Sequence, residues 1–476
     1  MSKSMPVLGM LLIAIGANAQ TAGPQRVLSG VEARSPRFKQ LSRQIWENPE
    51  TGWNTPASAA ALKDELRAAG FRITENVAGI PAAFTAEWGS GQPVIGIIGE
   101  YDALPGLSQD AVPERKPRVE GAPGHGCGHN LFGTASALAA VAVKDQLETA
   151  RLGGTIRYYG TPYEEGGAGK VYMIRAGAFK DASAVLAWHP WDANYADDNS
   201  WLANIKAYVR FRGKAAHAAG APEAGRSALD AVEIMAHAVN LMREHVPQEM
   251  RMHYIITKGG AAANIVPDVA ELEMIARHPD QKTLASIWER VMNCAQAGAL
   301  ATGTTVEIET GSAYANMMRN SILRDLIDKN LRITGGVTYT PEEAEFAEKI
   351  RKTVDSPSLP PLDVASKILP PRTQLASVST DVGDVSWVVP TGHLLAATLP
   401  PGVPLHSWQS TACVGTEIGR KGMIVAAKTL ALTAMDLFAD PSLVRQARAE
   451  YERNMAGKKY ESLIPAGKKP PVEARH

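Results

Sequence analysis

The chain has 476 residues, 45% of them hydrophobic and 21% charged, which is the composition of an ordinary globular protein and excludes collagenous, disordered and disulfide-scaffold classes. Lysine plus arginine and aspartate plus glutamate each count 49, a formal charge of zero, so the basic face that nucleic-acid binding needs is not expected. Three cysteines, Cys127, Cys294 and Cys413, are too few for a disulfide framework, and the length predicts about two or three domains.

The first residues read as a targeting segment. Lys3 opens it, residues 7–15 form an uncharged, mostly apolar run, and Ala17-Asn18-Ala19 has the small-x-small pattern of a signal-peptidase site. The run is too short for a permanent span. A signal peptide over 1–19 is therefore expected, with a mature start near Gln20 and a periplasmic or secreted protein. No later stretch reaches about 18 uninterrupted apolar residues, so no membrane span is expected after signal removal.

Further along, residues 56–69 carry Ala61, Leu62, Leu66 and Ala69 on one stripe before Gly70, and predict a helix. Residues 94–98 are a short apolar run of the buried-strand type. Residues 134–147 are small and apolar, a helix that can pack closely on a sheet, and 155–159, 184–188 and 394–397 are further strands. Such alternation predicts an α/β sheet domain. Residues 202–310 read as a separate insert: strand 205–211, amphipathic helix 227–245, strands 252–257 and 270–275, helix 282–301 and strand 305–309. The order β-α-β-β-α-β is ferredoxin-like. The expected organisation is a catalytic domain over 20–201 and 311–450, an inserted domain over 202–310 and a tail over 451–476. The proline-rich stretch 355–372 reads as an irregular loop, and the tail from Ala456 as mobile.

Ligands of open α/β sheets sit beyond the carboxyl ends of the strands. There the sequence places Glu100 and Asp102, then Glu164 and Glu165, then His189 directly after a strand, and His406 beyond a proline-glycine loop. His125-Gly-Cys-Gly-His-Asn130 precedes the small-residue helix. Singly, a cysteine by a turn, paired glutamates or a histidine after a strand are most often structural or solvated. Together they put imidazole, carboxylate and thiolate on one sheet edge, a candidate metal site.

Gly99-Glu-Tyr-Asp-Ala-Leu-Pro-Gly106, His125-Gly-Cys-Gly-His-Asn130, Gly160-Thr-Pro-Tyr-Glu-Glu-Gly-Gly167 and His406-Ser-Trp-Gln409 resemble the dinuclear metallopeptidase and amidohydrolase family, which includes aminoacylases, glutamate carboxypeptidases and the plant auxin-conjugate hydrolases. Ser379-Thr-Asp-Val-Gly-Asp-Val-Ser-Trp387 and the run from Gly213 to Ala231 are similar to its branch that acts on p-aminobenzoyl-glutamate. The plant members usually have aspartate where Asn130 stands. The resemblance covers about residues 40–440 and implies a zinc-peptidase-like catalytic sheet domain with an inserted dimerisation, or lid, domain.

It also implies roles. Cys127 would bridge two divalent ions, zinc or manganese, with His129, Glu165, His189 and His406 completing the ligand set. Glu164 would be the general acid/base of amide hydrolysis, taking a proton from the attacking water and returning it to the leaving nitrogen. Asp102 would orient a histidine ligand. In the insert, His217 would stabilise the oxyanion in the partner subunit's site of a homodimer, and Asn264 and Arg277 would hold the substrate carboxylate, for which an arginine fork is suited. The implied activity is cleavage of an N-acyl amino acid such as p-aminobenzoyl-glutamate. A dipeptidase or carboxypeptidase is the alternative. A non-catalytic binding protein on the same scaffold fits less well, because no ligand or base is missing.

Overall fold

A computed structural model describes residues 23–375 and 378–472; the expected signal segment lies outside them. Among the described residues, eleven strands form two sheets: β1 (Arg72–Thr74), β2 (Phe84–Ser90), β3 (Val94–Gly99), β4 (Gly154–Gly160), β5 (Ala184–Trp191), β6 (Tyr195–Asp197), β7 (Ala203–Arg212), β8 (Arg251–Lys258), β9 (Val269–His278), β10 (Thr305–Tyr314) and β11 (Thr391–Ala397). The larger sheet has the order β1-β2-β4-β3-β5-β11-β6. Its central strands β4, β3, β5 and β11 are parallel, and the outer pairings are antiparallel. β3 reads Val-Ile-Gly-Ile-Ile-Gly and is buried along its whole length. A parallel strand covered on both faces needs such a run without polar alternation.

Two long helices, His129–Ala150 and Glu417–Ala439, are buried over most of their residues. Their alanines and glycines let them lie close to the sheet and to each other. The second is apolar and long enough to cross a membrane by composition, but 83% of that window is buried inside the protein, as befits a core helix. The helix Pro24–Glu47 adds Val27, Val31, Phe38, Leu41 and Ile45 to the same core. Neither it nor the helices after residue 320 were placed from the sequence, although Leu323, Leu326, Ile327 and Leu331 share one buried face.

Residues 203–314 build the second sheet, antiparallel in the order β10-β7-β9-β8, covered by the helices Ala228–Met242 and Gln281–Thr302. This is the ferredoxin-like arrangement that the element order predicts. β7 and β10 pair so that Asn204 faces Tyr314. The chain therefore enters and leaves the inserted sheet at one place, next to the strand ends of the catalytic sheet.

Two local expectations are corrected. His189 lies inside β5 and not after it, because pairing with β11 continues to Trp191 opposite Ala397. The segment 456–472 is docked: Ile464 is buried, Tyr460 donates from its hydroxyl to Asp384 at 2.7 Å, and Arg175 donates to the carbonyl of Ile464.

Candidate metal centre

The strand ends bring the ligand candidates together. Gly128, at φ +77°, turns the chain into the helix His129–Ala150, and a side chain there would meet Pro190 at 2.9 Å. The turn sets Cys127 and His129 in the cleft beside His189. Cys127 Sγ lies 3.4 Å from His189 Nε2 and 3.3 Å from His406 Nε2. His406 Nε2 lies 3.5 Å from Glu165 Oε2. Two groups emerge whose ligand atoms all fall within 4.8 Å of one another, Cys127 with His129 and His189, and Cys127 with Glu165 and His406. The thiol is common to both.

The ring orientations leave the right nitrogens free. His129 Nδ1 is 3.2 Å from Asp102 Oδ1, and the other oxygen of Asp102 accepts from the backbone N–H of Glu165 at 3.1 Å. One carboxylate thus fixes both a histidine ring and the glutamate loop, as outer partners of metal ligands do. His189 Nδ1 donates to the carbonyl of Pro190 at 2.8 Å, which leaves Nε2 for the cleft. His406 is held at φ +57° and Tyr163, beside Glu164, at φ +56°. Left-handed backbone at non-glycine residues is strained and concentrates at functional positions. A side chain at Gly167 would collide with the Tyr163 ring, so the Gly166-Gly167 pair makes room for that turn.

The electrostatics call for cations. Burial pushes the Cys127 thiol well up, and Glu165 adds to the effect. Burial likewise pushes Glu165 up to about 7 and Glu164 well above the usual carboxylate range, with Glu100, Glu165 and Asp381 contributing. Burial keeps His189 neutral, the form that binds metal. A thiolate and several carboxylates this deeply buried are stable in ionised form only beside compensating positive charge. His129 Nε2, Glu165 Oε1 and both oxygens of Glu100 are buried without a well-directed hydrogen bond, with His129 Nε2 3.2 Å from Glu100 Oε2. The donor set of sulfur, imidazole and carboxylate fits zinc, and its carboxylates also admit manganese.

The site opens into a cavity of about 640 Å³. The catalytic domain contributes Cys127, Glu164, Glu165, His189 and His406, and the inserted sheet contributes Arg277 from β9. Lys206 and Asn204 from β7 and Tyr314 from β10 also face it. Sequence reasoning missed these three, since on alternating strands they look like any polar face. Tyr314 donates its hydroxyl to the carbonyl of Glu164 at 2.9 Å, tying the inserted sheet to the glutamate loop.

His217 and Asn264 do not line this cavity. Both are exposed, and they sit together: His217 bridges to Ile265, and the N–H of Ala218 donates to the carbonyl of Asn264 at 3.0 Å. His217 Nδ1 accepts from the N–H groups of Ala219 and Gly220. Asn130 donates to the carbonyls of Ser42 and Val414 and so clamps helices. Glu100, which the sequence placed at a strand end, forms a buried cluster behind His129 with Lys170 and Asp381, to which the sequence assigned no role. Lys170 Nζ is 2.7 Å from Glu100 Oε1 and 2.5 Å from Asp381 Oδ1.

Residues 203–303 match the family model described as a peptidase dimerisation domain. The chain is similar to the B subunit of p-aminobenzoyl-glutamate hydrolase of Escherichia coli, 40% identical over 461 residues, which cover 91% of this chain and 96% of that protein. It is also similar to the Xaa-Arg dipeptidase of Mus musculus, 30% identical over 444 residues, covering 90% and 92%. Among solved structures it superposes on a dinuclear metal-binding peptidase of the M20 family from Bacillus subtilis with a TM-score of 0.57, 17% identity and coverage of 86% and 99%.

Proposed function

Since the chain belongs to the M20 family of metallopeptidases and amidohydrolases, and is a hydrolase, we propose that it cleaves the amide bond of an N-acyl amino acid, p-aminobenzoyl-glutamate being the first candidate. The observation that carries this reading is the shared position of Cys127 between two three-ligand groups, with Glu164 in the same cavity. When bound, two divalent ions lower the pKa of the attacking water and polarise the scissile carbonyl. Glu164 takes the proton of that water and returns it to the leaving nitrogen. Asp102 holds His129 in the tautomer that presents Nε2. Arg277 has no acidic partner among the described ion pairs, and its guanidinium is available for the substrate's carboxylate. The test is metal analysis followed by a hydrolysis screen over N-acyl amino acids and dipeptides. No turnover of any acyl amino acid by the metal-loaded protein would sink the proposal, and turnover of dipeptides alone would replace it with the dipeptidase reading.

The protein is further proposed to work as a homodimer in which His217 acts on the partner's site. The dimerisation-domain match and the exposure of His217 outside its own chain's cavity support this. Glu164→Gln and His217→Ala variants, each inactive, should complement one another after dissociation and random reassociation. Recovery of about one quarter of wild-type activity at most is expected from symmetric pairing. Verified mixed dimers as inactive as their parents would show that His217 works in its own subunit or not at all.

Export is proposed on the N-terminal sequence alone. N-terminal sequencing of protein recovered outside the cytoplasm should find a start near Gln20; an intact Met1 on cytosolic protein would overturn the proposal.

A further inference from the structure

Lys170 is fully buried, which is rare for lysine. A buried ion pair contributes little stability compared with well-packed apolar side chains of the same volume, so packing alone gives no reason for an ammonium here. Its two partners are differently placed. Asp381 holds Lys170 twice, through Nζ and through its backbone N–H at 3.0 Å. Glu100 turns one oxygen to Lys170 and sets the other, Oε2, 3.2 Å from His129 Nε2. That nitrogen is the one His129 has free, because Nδ1 is taken by Asp102. Glu100, His129 and Glu164 moreover form a third group of ligand atoms within 4.8 Å.

Glu100 is therefore a sixth donor standing beside the ligand set, with one oxygen 2.7 Å from the ammonium behind it. We propose that Lys170 is a positioning residue that keeps Glu100 out of the coordination shell of the ion assigned to Cys127, His129 and His189. An extra anionic ligand would feed charge to that ion, weaken its pull on the attacking water, and crowd Glu164. Lysine suits this role because it is a compact point charge that donates to Asp381, sets its charge against one oxygen of Glu100 and offers no lone pair to a metal. The inference rests on the dinuclear reading above.

The experiment compares wild type, Lys170→Met and the double variant Lys170→Met/Glu100→Gln, with metal affinity read by chelator competition. Methionine keeps the length of the side chain without its charge. In Lys170→Met, Glu100 should join the ion, which is then held about tenfold more tightly or better. Turnover should fall on the same scale with KM unchanged. Glu100→Gln in the double variant should return both affinity and turnover towards wild type. A merely structural lysine would lower the melting temperature without tightening metal binding. Unchanged or weaker metal binding in folded Lys170→Met therefore overturns the proposal. Should Lys170→Met not fold, Glu100→Gln alone decides: retention of both ions at wild-type affinity supports the proposal, and loss of an ion makes Glu100 a ligand and overturns it. A wild-type protein that takes up no ions overturns both this inference and the function it rests on; unchanged affinity in a protein that holds two ions fails this inference alone.

Discussion

Replacing Glu164 by Gln is expected to lower turnover by about 100-fold or more, the scale of general acid-base catalysis, while bound metal stays at the wild-type level. The substitution keeps shape and removes only the capacity to carry a proton. Glu164 is 8% exposed, and its backbone carbonyl is fixed by the Tyr314 hydroxyl, so the loop should hold its course in the variant. The pH dependence gives an independent reading. A base must be ionised to act, and burial together with Glu100, Glu165 and Asp381 raises the pKa of Glu164. Wild-type rate should accordingly fall as pH drops through the pKa that Glu164 has in the metal-loaded protein. The residual rate of Glu164→Gln should lose this acid limb. Near-wild-type turnover in a variant with full metal content would remove Glu164 from the mechanism.

The parts of this architecture that the sequence disclosed are those where one residue type has one physical use. A run such as Val94–Gly99 is typical of a strand buried on both faces, and histidine, cysteine and glutamate gathered at several strand ends have few bland explanations once taken jointly. The inserted sheet was readable because its strands alternate and its helices carry stripes. The ends of elements were less readable: β5 runs three residues past Trp188 to Trp191 because its partner β11 continues, and pairing partners are not written locally. The cluster of Glu100, Lys170 and Asp381 was hidden for a related reason. Lys170 sits in the short helix Gly169–Arg175, where a lysine is ordinarily solvated, and only the fold brings Asp381 to it from 211 positions away. The tail reads as loose from its lysines and prolines, yet one buried isoleucine and one tyrosine hydroxyl suffice to dock it. His217 and Asn264 remain apart from the cavity in a single chain; a role for them rests on a second copy, and a single sequence holds no trace of that geometry beyond the motif.

Cys127→Ser should strip the metal centre, with a loss of affinity beyond the roughly 10–100-fold that removal of even an outer partner of a ligand costs. Serine is close to isosteric, so the helix start at His129 and the tight turn at Gly128 should survive, and a melting curve in chelator should match that of the metal-free wild type. What changes is the donor. A thiolate keeps enough lone pairs to serve two ions, and Cys127 belongs to both ligand groups, so one substitution weakens both. A serine hydroxyl holds its proton at neutral pH and offers only a weak oxygen. The thiol's own proton supplies a second readout. Burial holds the Cys127 pKa well above its ordinary value, so uptake of metal must expel a proton, and affinity should tighten as pH rises through the neutral range. In Cys127→Ser that part of the proton release should vanish and the pH slope of binding should flatten. Coordination would protect this cysteine from oxidation, since a metal-bound thiolate is not free to attack a disulfide. Alkylation at alkaline pH, where the thiolate is populated, should therefore label Cys127 in the chelator-treated protein and spare it in the loaded one. Equal labelling in both states, or Cys127 found in a disulfide with Cys294 or Cys413 in active protein, would end its assignment as the bridge.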